Sequence, residues 1–432
     1  MGRVLLWMGL LWATAADARA RVYVVKPGDT LNEIAKANGC TVDDLKKSNR
    51  LSSDFLKDGA ELKLPRGCTK AKTVGKAAAK NDQAAKGSKN DKSKSDKAKG
   101  DTAGKNDKAA KADAVAKKKP RRKPVLREVL AEHGFAGRYG LKARVVEITL
   151  DKKLRRITKE AIYDWDQTAY EHQDWNAAST IKLFSAIGAL ERIKTKGFDS
   201  RAEVTFFGQG TSTHKVADLV ADSLIKSDNI AHNRLTQLAG YDYLNGQVLS
   251  RRGLKHSAIH RPYETSRWLP MTGARTFRET PRIALKQGKK TRTLPAEVGT
   301  GGYPCVHNAA CSSMADLAAA MRRLMLHEQL PKAQRFNLDR TELRVIRDAL
   351  KAERKRGMDV VDQIEKAFPP GRIVAFHKPG FSEGWISDVV YLYDHKSQKR
   401  WLVAMAAPGG RQALNGAAAA VGKALAAGDL TY

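Results

Sequence analysis

The chain has 432 residues, with 78 Lys or Arg against 46 Asp or Glu, and its formal net charge of +32 at pH 7 is strongly basic. At roughly 150 residues per domain, this length allows two or three domains. No stretch reaches the roughly 20 apolar residues of a membrane-spanning helix, and basic residues do not alternate with the aromatic residues on which nucleic-acid bases stack. We therefore expect no transmembrane segment and no nucleic-acid partner.

Residues 1–20 have the pattern of a secretory signal peptide. Arg3 supplies the positive start, residues 4–12 form the apolar core, and Ala18-Arg19-Ala20 offers a small-x-small cleavage site. We expect a soluble protein that is exported across the inner membrane to the periplasm or the cell wall. A retained N-terminal anchor is the alternative.

Residues 21–68 predict a small domain with the order strand, helix, helix, strand. Tyr23 and Val25 alternate as in a strand, and Pro27-Gly28 forms a turn. Asp29 or Thr30 can cap a first helix, a second helix follows Thr41, and residues 61–64 return as a strand.

This stretch resembles a LysM domain. The resemblance is carried by Tyr23, Val25, Gly28, Asp29, Thr30, Leu31, Ile34, Ala35, Leu45, Asn49, Leu51, Gly59, Leu62, Leu64 and Pro65. It implies a βααβ fold that binds the N-acetylglucosamine-containing glycan of peptidoglycan. The binding positions that it implies are Gly28, Asp29, Thr30 and Leu31 in one loop, with Asn49 and Leu51 at the start of a second loop that extends to Asp54.

Residues 69–124 predict a disordered linker. They contain 19 Lys or Arg and 6 Asp, a formal net charge of +13, and almost no large apolar side chains. Such a segment buries too little surface to offset its ordering entropy, and its like charges repel. The remaining surplus of 19 positive charges points to anionic wall polymers or membrane surfaces as partners.

The four cysteines fall into two local pairs. Cys40 and Cys68 lie in or beside the first domain, and Cys305 and Cys311 lie close together much later. Four cysteines allow three connectivities. Because export leads to an oxidising compartment, we expect one disulfide bond within each pair.

Residues 125–432 predict one α/β domain. Strands are expected at 143–149 and 161–165, with a start at Ile157 as the alternative for the second, and again at 373–377, 385–393 and 401–406. A last helix is expected at 412–427. Helices dominate the region between. The sheet should therefore join the two ends of the domain.

Ser179 and Lys182 stand out in the apolar stretch AASTIKLF at 177–184, which begins a predicted helix at 177–193. A lysine in such a place is unfavourable unless its ammonium has a partner. Spacing of three residues puts both side chains on one face, one turn apart. An adjacent amine can activate a serine hydroxyl, which by itself is a poor nucleophile.

Two later motifs complete a set. Ser227-Asp228-Asn229 falls in a predicted helix–helix loop, and Lys378-Pro379-Gly380 falls on a late strand. S-x-x-K, S-D-N and K-x-G in this order resemble the penicillin-recognising serine hydrolases, namely class A β-lactamases and related penicillin-binding proteins. Asn233 and the stretch 311–324 favour the class A branch. The resemblance implies a three-layer α/β fold with a helical subdomain.

The resemblance also implies a role for each motif residue. Ser179 would attack a carbonyl carbon with Lys182 as base, and Ser227 would relay a proton. The backbone amides of Ser179 and Phe381 would bind the oxyanion. Asn229 would orient the substrate amide, Lys378 would attract a substrate carboxylate, and Gly380 and Asn233 would border the substrate.

Three features depart from the family pattern. Pro379 replaces the Ser or Thr whose hydroxyl binds a substrate carboxylate, and a proline suits only an edge strand. The E-x-E-L-N pattern is absent, so that Glu264, near Arg261, is the only nearby carboxylate for deacylation. A basic stretch at 269–303 has no family counterpart that we can place.

The sequence thus favours a peptidoglycan-associated serine acyl hydrolase of the class A β-lactamase type, acting on a β-lactam or a related cell-wall amide. One alternative is a D-alanyl-D-alanine carboxypeptidase or transpeptidase with an acyl-D-alanine substrate. Another is a non-catalytic wall-binding protein that retains the fold. We found no Gly-rich phosphate loop and no His/Cys cluster, and we therefore expect no cofactor and no metal.

Overall fold

The computed structural model describes residues 21–25, 31–51, 60–65, 68, 126–131, 140–165, 167–305, 308–351, 360–382, 384–408, 410–428 and 430. They form two compact units, one with residues up to 68 and one with residues from 126. The predicted signal peptide and the predicted linker lie outside the described residues. Among the residues described, no helix combines the length and the apolar character that crossing a bilayer requires.

The first unit has the predicted βααβ order: β1 (Val22–Val24), α1 (Leu31–Ala37), α2 (Val42–Asn49) and β2 (Glu61–Lys63). β1 and β2 pair antiparallel. Thr41 caps α2, and the backbone of Thr41 in turn donates to the Asp44 carboxylate, which completes a capping box. A core that includes Leu31, Ile34, Leu45 and Leu62 is covered by these elements, and the predicted Cys40–Cys68 disulfide closes the unit.

The second unit contains the remaining elements. Its strands are β3 (Lys142–Leu150), β4 (Ile157–Asp164), β5 (Glu203–Phe206), β6 (Ser212–Lys215), β7 (Ala258–Ile259), β8 (Glu279–Thr280), β9 (Ile283–Gln287), β10 (Lys290–Leu294), β11 (Glu297–Val298), β12 (Ala310–Cys311), β13 (Ile373–Ser382), β14 (Trp385–Asp394) and β15 (Arg400–Pro408). Its α-helices are α3 (Leu126–Ala131), α4 (Lys182–Thr195), α5 (Val216–Leu224), α6 (Asn229–Ala239), α7 (Thr265–Thr272), α8 (Met314–Met325), α9 (Arg340–Leu350), α10 (Val360–Glu365) and α11 (Arg411–Ala427).

The main sheet is antiparallel, with the order β13-β14-β15-β3-β4. It joins the two ends of the domain, as the sequence predicted. Alternation along β3 sends Ala143 and Val145 into a core shared with α3, α10 and α11, and Val146 and Ile148 into a core shared with α4, α6 and α8. Helices thus cover both faces of the sheet, which gives the three-layer α/β fold that the sequence predicted.

The stretch 269–303 is built into the helical subdomain. Its β9–β10 hairpin extends β5 and β6 into a four-stranded sheet with the order β10-β9-β5-β6. Ile283 and Leu285 on β9 are buried in the core beside Val204 and Phe206. The basic side chains that marked this stretch in the sequence, including Lys286, Lys289 and Arg292, are exposed.

Candidate active site

Ser179 lies on a 3-10 turn, Ala178–Ile181, and α4 starts only at Lys182. The sequence predicted one continuous helix from residue 177, and this is wrong in its first turn. The reason is Ala178, whose φ of +44° is left-handed and incompatible with an α-helix. The break leaves Ser179 just before the helix, in the lining of a cavity.

Lys182 is fully buried, and its Nζ lies 3.0 Å from Ser179 Oγ. It also donates to Asn229 Oδ1 at 2.6 Å and to the carbonyl oxygen of Ser227. Burial and, second, the charge of Lys378 lower the pKa of Lys182 to about 7, against opposing effects of Asp228 and Glu264. A large fraction of this amine is therefore neutral near pH 7, as a proton acceptor must be.

Ser227 and Asn229 occupy the loop between α5 and α6. Asp228 caps α6 by accepting from the backbone of Ala231 at 2.6 Å, which holds the loop in place. The hydroxyl of Ser227 lies 3.4 Å from Lys182 Nζ and accepts from Lys378 Nζ at 3.0 Å. The three sequence motifs thus meet at one hydroxyl.

β13 is an edge strand, with β14 as its strand neighbour. This agrees with the expectation for Pro379, because an edge strand accommodates a proline whose nitrogen faces away from the neighbouring strand. Gly380 packs so closely on the turn before α4 that a Cβ atom there would lie 2.8 Å from Ala177 O and 3.0 Å from Thr180 N. The absence of a side chain at residue 380 therefore lets Phe381 approach Ser179.

Glu264 and Asn233 lie on either side of the cavity wall. Glu264 accepts from Asn229 Nδ2 at 2.8 Å and borders the same cavity as Ser179. Asn233, predicted to border the substrate, is buried, and its amide group pairs with both backbone groups of Tyr263 at 2.9 Å each. The structure does not bring Asn233 into the cavity, because both ends of its amide are used behind the wall.

The cavity has a volume of about 370 Å³. Besides predicted residues, it is lined by residues that the sequence did not single out, which include Asn176, Ala178, Tyr263, Asn308 and Ala309. Tyr263 directly precedes Glu264, so its proximity to the site could have been predicted from the sequence. Its contact with the residue before Ser179 could not. Asn308 and Ala309 follow the long stretch 269–303, and nothing local marks them.

The Cys305–Cys311 disulfide, as predicted, closes the loop that carries Asn308 and Ala309. The backbone of His260 donates to Ala309 O at 3.0 Å, and β7 pairs with β12. The disulfide and this pairing together fix one wall of the cavity. Within the described ranges, no group of His, Cys, Asp or Glu has the arrangement of a metal site.

The predicted glycan-binding residues are only partly described. Gly28, Asp29 and Thr30 lie outside the described residues. Leu31 is buried in the core of the first unit. Asn49 donates to Leu45 O at 2.8 Å and exchanges two bonds with the backbone of Lys63 at 2.7 and 2.9 Å. Its side chain therefore joins α2 to β2, and Leu51, half-buried, follows it.

A serine, two lysines, a second serine and an asparagine form one hydrogen-bonded cluster, and Ser179 and Asn229 of this cluster line the cavity. Residues 164–427 match the model of the β-lactamase enzyme family, and the chain belongs to that family. Residues 23–65 match the LysM domain. Both matches agree with the resemblances that the motifs indicated.

Solved structures with similar folds include three β-lactamases. One from Xanthomonas campestris is 18% identical, with 68% of this chain and 96% of that chain covered and a TM-score of 0.44. One from Burkholderia vietnamiensis is 15% identical, with 71% and 98% covered and a TM-score of 0.46. An ancestral class A enzyme of Gram-negative bacteria is 18% identical, with 70% and 99% covered and a TM-score of 0.45. Identities this low say nothing about activity.

Proposed function

We propose that this protein is an exported, peptidoglycan-associated serine acyl hydrolase that acts on a β-lactam or a related cell-wall amide through an acyl-enzyme at Ser179. The observation that carries the proposal is the buried Lys182 amine, 3.0 Å from Ser179 Oγ and with a pKa lowered to about 7. A nucleophile needs an adjacent base with a pKa near the working pH.

In acylation, Ser179 Oγ attacks the carbonyl carbon while Lys182 Nζ takes the hydroxyl proton. The backbone N–H groups of Ser179 and Phe381 bind the oxyanion. When the C–N bond breaks, the proton passes from Lys182 through the hydroxyl of Ser227 to the leaving nitrogen. Contacts of 3.4 Å and 3.0 Å from Ser227 Oγ to Lys182 and Lys378 support this path.

Deacylation needs a base for the attacking water, and Glu264 is our candidate. Its contact with Asn229 places its carboxylate at the cavity that Ser179 also lines. Glu264 has a left-handed φ of +52° at the start of α7, and Arg267 lies 3.8 Å away. Because these contacts compete with a water for the carboxylate, we expect slow release of the acyl group.

The LysM unit and the two disulfides support a location at the cell wall. LysM domains bind peptidoglycan glycan, and disulfides persist in oxidising compartments such as the periplasm. The proposed order is a signal peptide at 1–20, a wall-binding domain at 21–68, a basic linker at 69–124 and the hydrolase domain at 125–432.

Labelling of the full chain with a fluorescent penicillin tests the proposal. We expect an adduct on Ser179, detected by intact-mass spectrometry and peptide mapping, that is lost over minutes to hours as free penicilloate appears. The Ser179→Ala variant should give no adduct. An adduct that maps to another residue would contradict the proposed nucleophile.

The same experiment separates the alternatives. A permanent adduct with no penicilloate favours the D-alanyl-D-alanine peptidase, and release of D-alanine from a wall pentapeptide would then identify it. No adduct at any penicillin concentration, with no turnover of a wall peptide, would favour the non-catalytic wall-binding protein.

A further inference from the structure

The peptide bond between Ala178 and Ser179 connects a proposed oxyanion donor to a carbonyl group that Tyr263 binds. Its N–H group, on Ser179, is one of the two proposed oxyanion donors, so this inference rests on the proposed function. Its carbonyl oxygen, on Ala178, accepts a hydrogen bond from the phenol of Tyr263 at 2.7 Å. Because a peptide unit is planar and trans, its N–H and C=O point in opposite directions. We infer that Tyr263 is a positioning residue that aims and polarises the Ser179 N–H towards the oxyanion from the far end of the same peptide.

The backbone at Ala178 needs to be held. A φ of +44° is unfavourable for a residue with a side chain, and such a conformation persists only where the surroundings impose it. Two side chains do so here. The N–H of Ala178 donates to Asn176 Oδ1 at 2.8 Å, and its carbonyl oxygen accepts from Tyr263. Both sides of the strained residue are therefore fixed just before the nucleophile.

Tyr263 is itself fixed by α6. The amide of Asn233 accepts from the backbone N–H of Tyr263 and donates to its carbonyl oxygen, at 2.9 Å each. The ring of Tyr263 packs against His232, with centroids 4.9 Å apart. Burial raises the pKa of Tyr263 well above its usual value, so the phenol keeps its proton and remains a donor near neutral pH.

A hydrogen bond to a carbonyl strengthens the N–H donor of the same peptide, because chains of hydrogen bonds polarise one another. Loss of the phenol should therefore weaken oxyanion binding without removing the donor. We expect acylation of Tyr263→Phe to be slower by about 2- to 12-fold, the range of one neutral hydrogen bond. Loss of a whole donor would be worth about a hundredfold or more.

The first test needs no substrate. In protein labelled with ¹⁵N-serine, the Ser179 amide resonance should move to higher field in Tyr263→Phe, because the amide is less polarised. Incorporation of 3-fluorotyrosine at residue 263, a stronger donor of the same shape, should move the resonance the opposite way. The control is Tyr393→Phe on β14, which removes a phenol bound to Gln398 at 2.8 Å and should leave Ser179 unchanged.

The second test uses the acyl-enzyme formed with benzylpenicillin. Its ester carbonyl stretch reports how strongly the oxyanion hole binds, and we expect it at higher wavenumber in Tyr263→Phe than in the wild type or Tyr393→Phe. A purely structural role would lower the melting temperature and leave this frequency alone.

An unmoved Ser179 resonance, both in folded Tyr263→Phe and with 3-fluorotyrosine, would overturn the inference. If Tyr263→Phe does not fold, the fluorotyrosine protein alone decides the question. A wild type that forms no adduct with penicillin or wall peptides would contradict the proposed function, and the substrate-free resonance would still test the role of Tyr263.

Discussion

Lys182 and Lys378 contact the same hydroxyl, that of Ser227, which lies 3.4 Å from the first Nζ and 3.0 Å from the second. Burial and, second, the charge of Lys378 disfavour the charged form of Lys182 and lower its pKa to about 7. Only the neutral amine can accept the proton of Ser179. The rate of acylation should therefore rise with pH through a midpoint near 7.

Neighbouring charges should shift this midpoint in opposite directions. Lys378→Met removes a charge that lowers the pKa of Lys182, so the rising limb should move to higher pH. Glu264→Gln removes a charge that raises that pKa, so the limb should move to lower pH. Acylation rates between pH 5 and 9 measure both shifts, with Lys423→Met, an exposed lysine on α11, as control. A flat profile, or shifts of the same sign, would contradict the role of Lys182 as base.

Ser179→Ala should abolish covalent acylation and leave the fold unchanged. The hydroxyl of Ser179 is one of several partners of Lys182, whose amine keeps its bonds to Asn229 and Ser227. We expect no adduct by intact mass and a melting temperature close to that of wild type. Ser212→Ala on β6 is the matched control and should acylate normally. Turnover that persists in Ser179→Ala would mean that another residue is the nucleophile.

Pro379→Thr should raise the rate of acylation by benzylpenicillin at least several-fold. Proline offers a substrate carboxylate no donor, whereas a hydrogen bond to a charged group contributes about 1.5–3 kcal/mol. Pro379→Ala is the matched control, because it restores the backbone N–H but not the hydroxyl. The second-order acylation rate is measured by intact-mass spectrometry. Equal rates for the threonine and alanine variants would show that the missing hydroxyl does not limit acylation.

Gly380→Ala should slow acylation by about a hundredfold or more, the effect of losing an oxyanion donor. A Cβ atom there would meet Ser387 Oγ at 2.7 Å and Ala177 O at 2.8 Å, so β13 must move away from the turn that carries Ser179. Gly246→Ala is the control, since its Cβ would meet no atom within 4 Å. An acylation rate like that of wild type would show that Phe381 is not needed as a donor.

Residues 21–68 expressed alone should sediment with purified peptidoglycan, and a chain that lacks them should remain in the supernatant. The unit has its own core and its own disulfide, so we expect it to fold by itself. If instead the truncated chain sediments at 0.1 M salt and is released at 1 M, where the Debye length falls from about 10 to about 3 Å, its basic surface is the anchor.

The sequence predicted the features that depend on short residue spacings and on the order of strands and motifs along the chain. S-x-x-K places Ser179 and Lys182 one turn apart in a helix and in a 3-10 turn alike, so the pair was correct although the helix start was not. The sheet that joins both ends of the domain followed from the alternation of its strands. The edge position of β13 followed from the family resemblance together with Pro379.

Contacts between segments that are distant in the sequence could not be predicted from spacing or order. Tyr263 contacts Ala178, which lies 85 positions earlier in the sequence. The sequence does not indicate the positive φ of residue 178, because this residue is an alanine and not a glycine. The pairing of β9 with β5 likewise joins segments about 80 residues apart, and their short alternating patterns do not specify a partner. Asn233 was assigned to the cavity because its motif lies there, while its side chain points behind the wall.

The position of β13 at the end of the main sheet also bears on how copies of this protein behave towards one another. Among the described strands, β13 pairs on one side only, with β14. The N–H and C=O groups of a strand edge can pair with another extended chain, and Phe381, 43% exposed, lies on β13. Pro379 interrupts the row, since it has no N–H to give. If the protein is concentrated at the cell wall as we propose, we expect Pro379 to disfavour edge-to-edge pairing with neighbouring copies. The exchange of Pro379 for threonine that we expect to improve acylation should, by the same argument, make the protein more prone to aggregate.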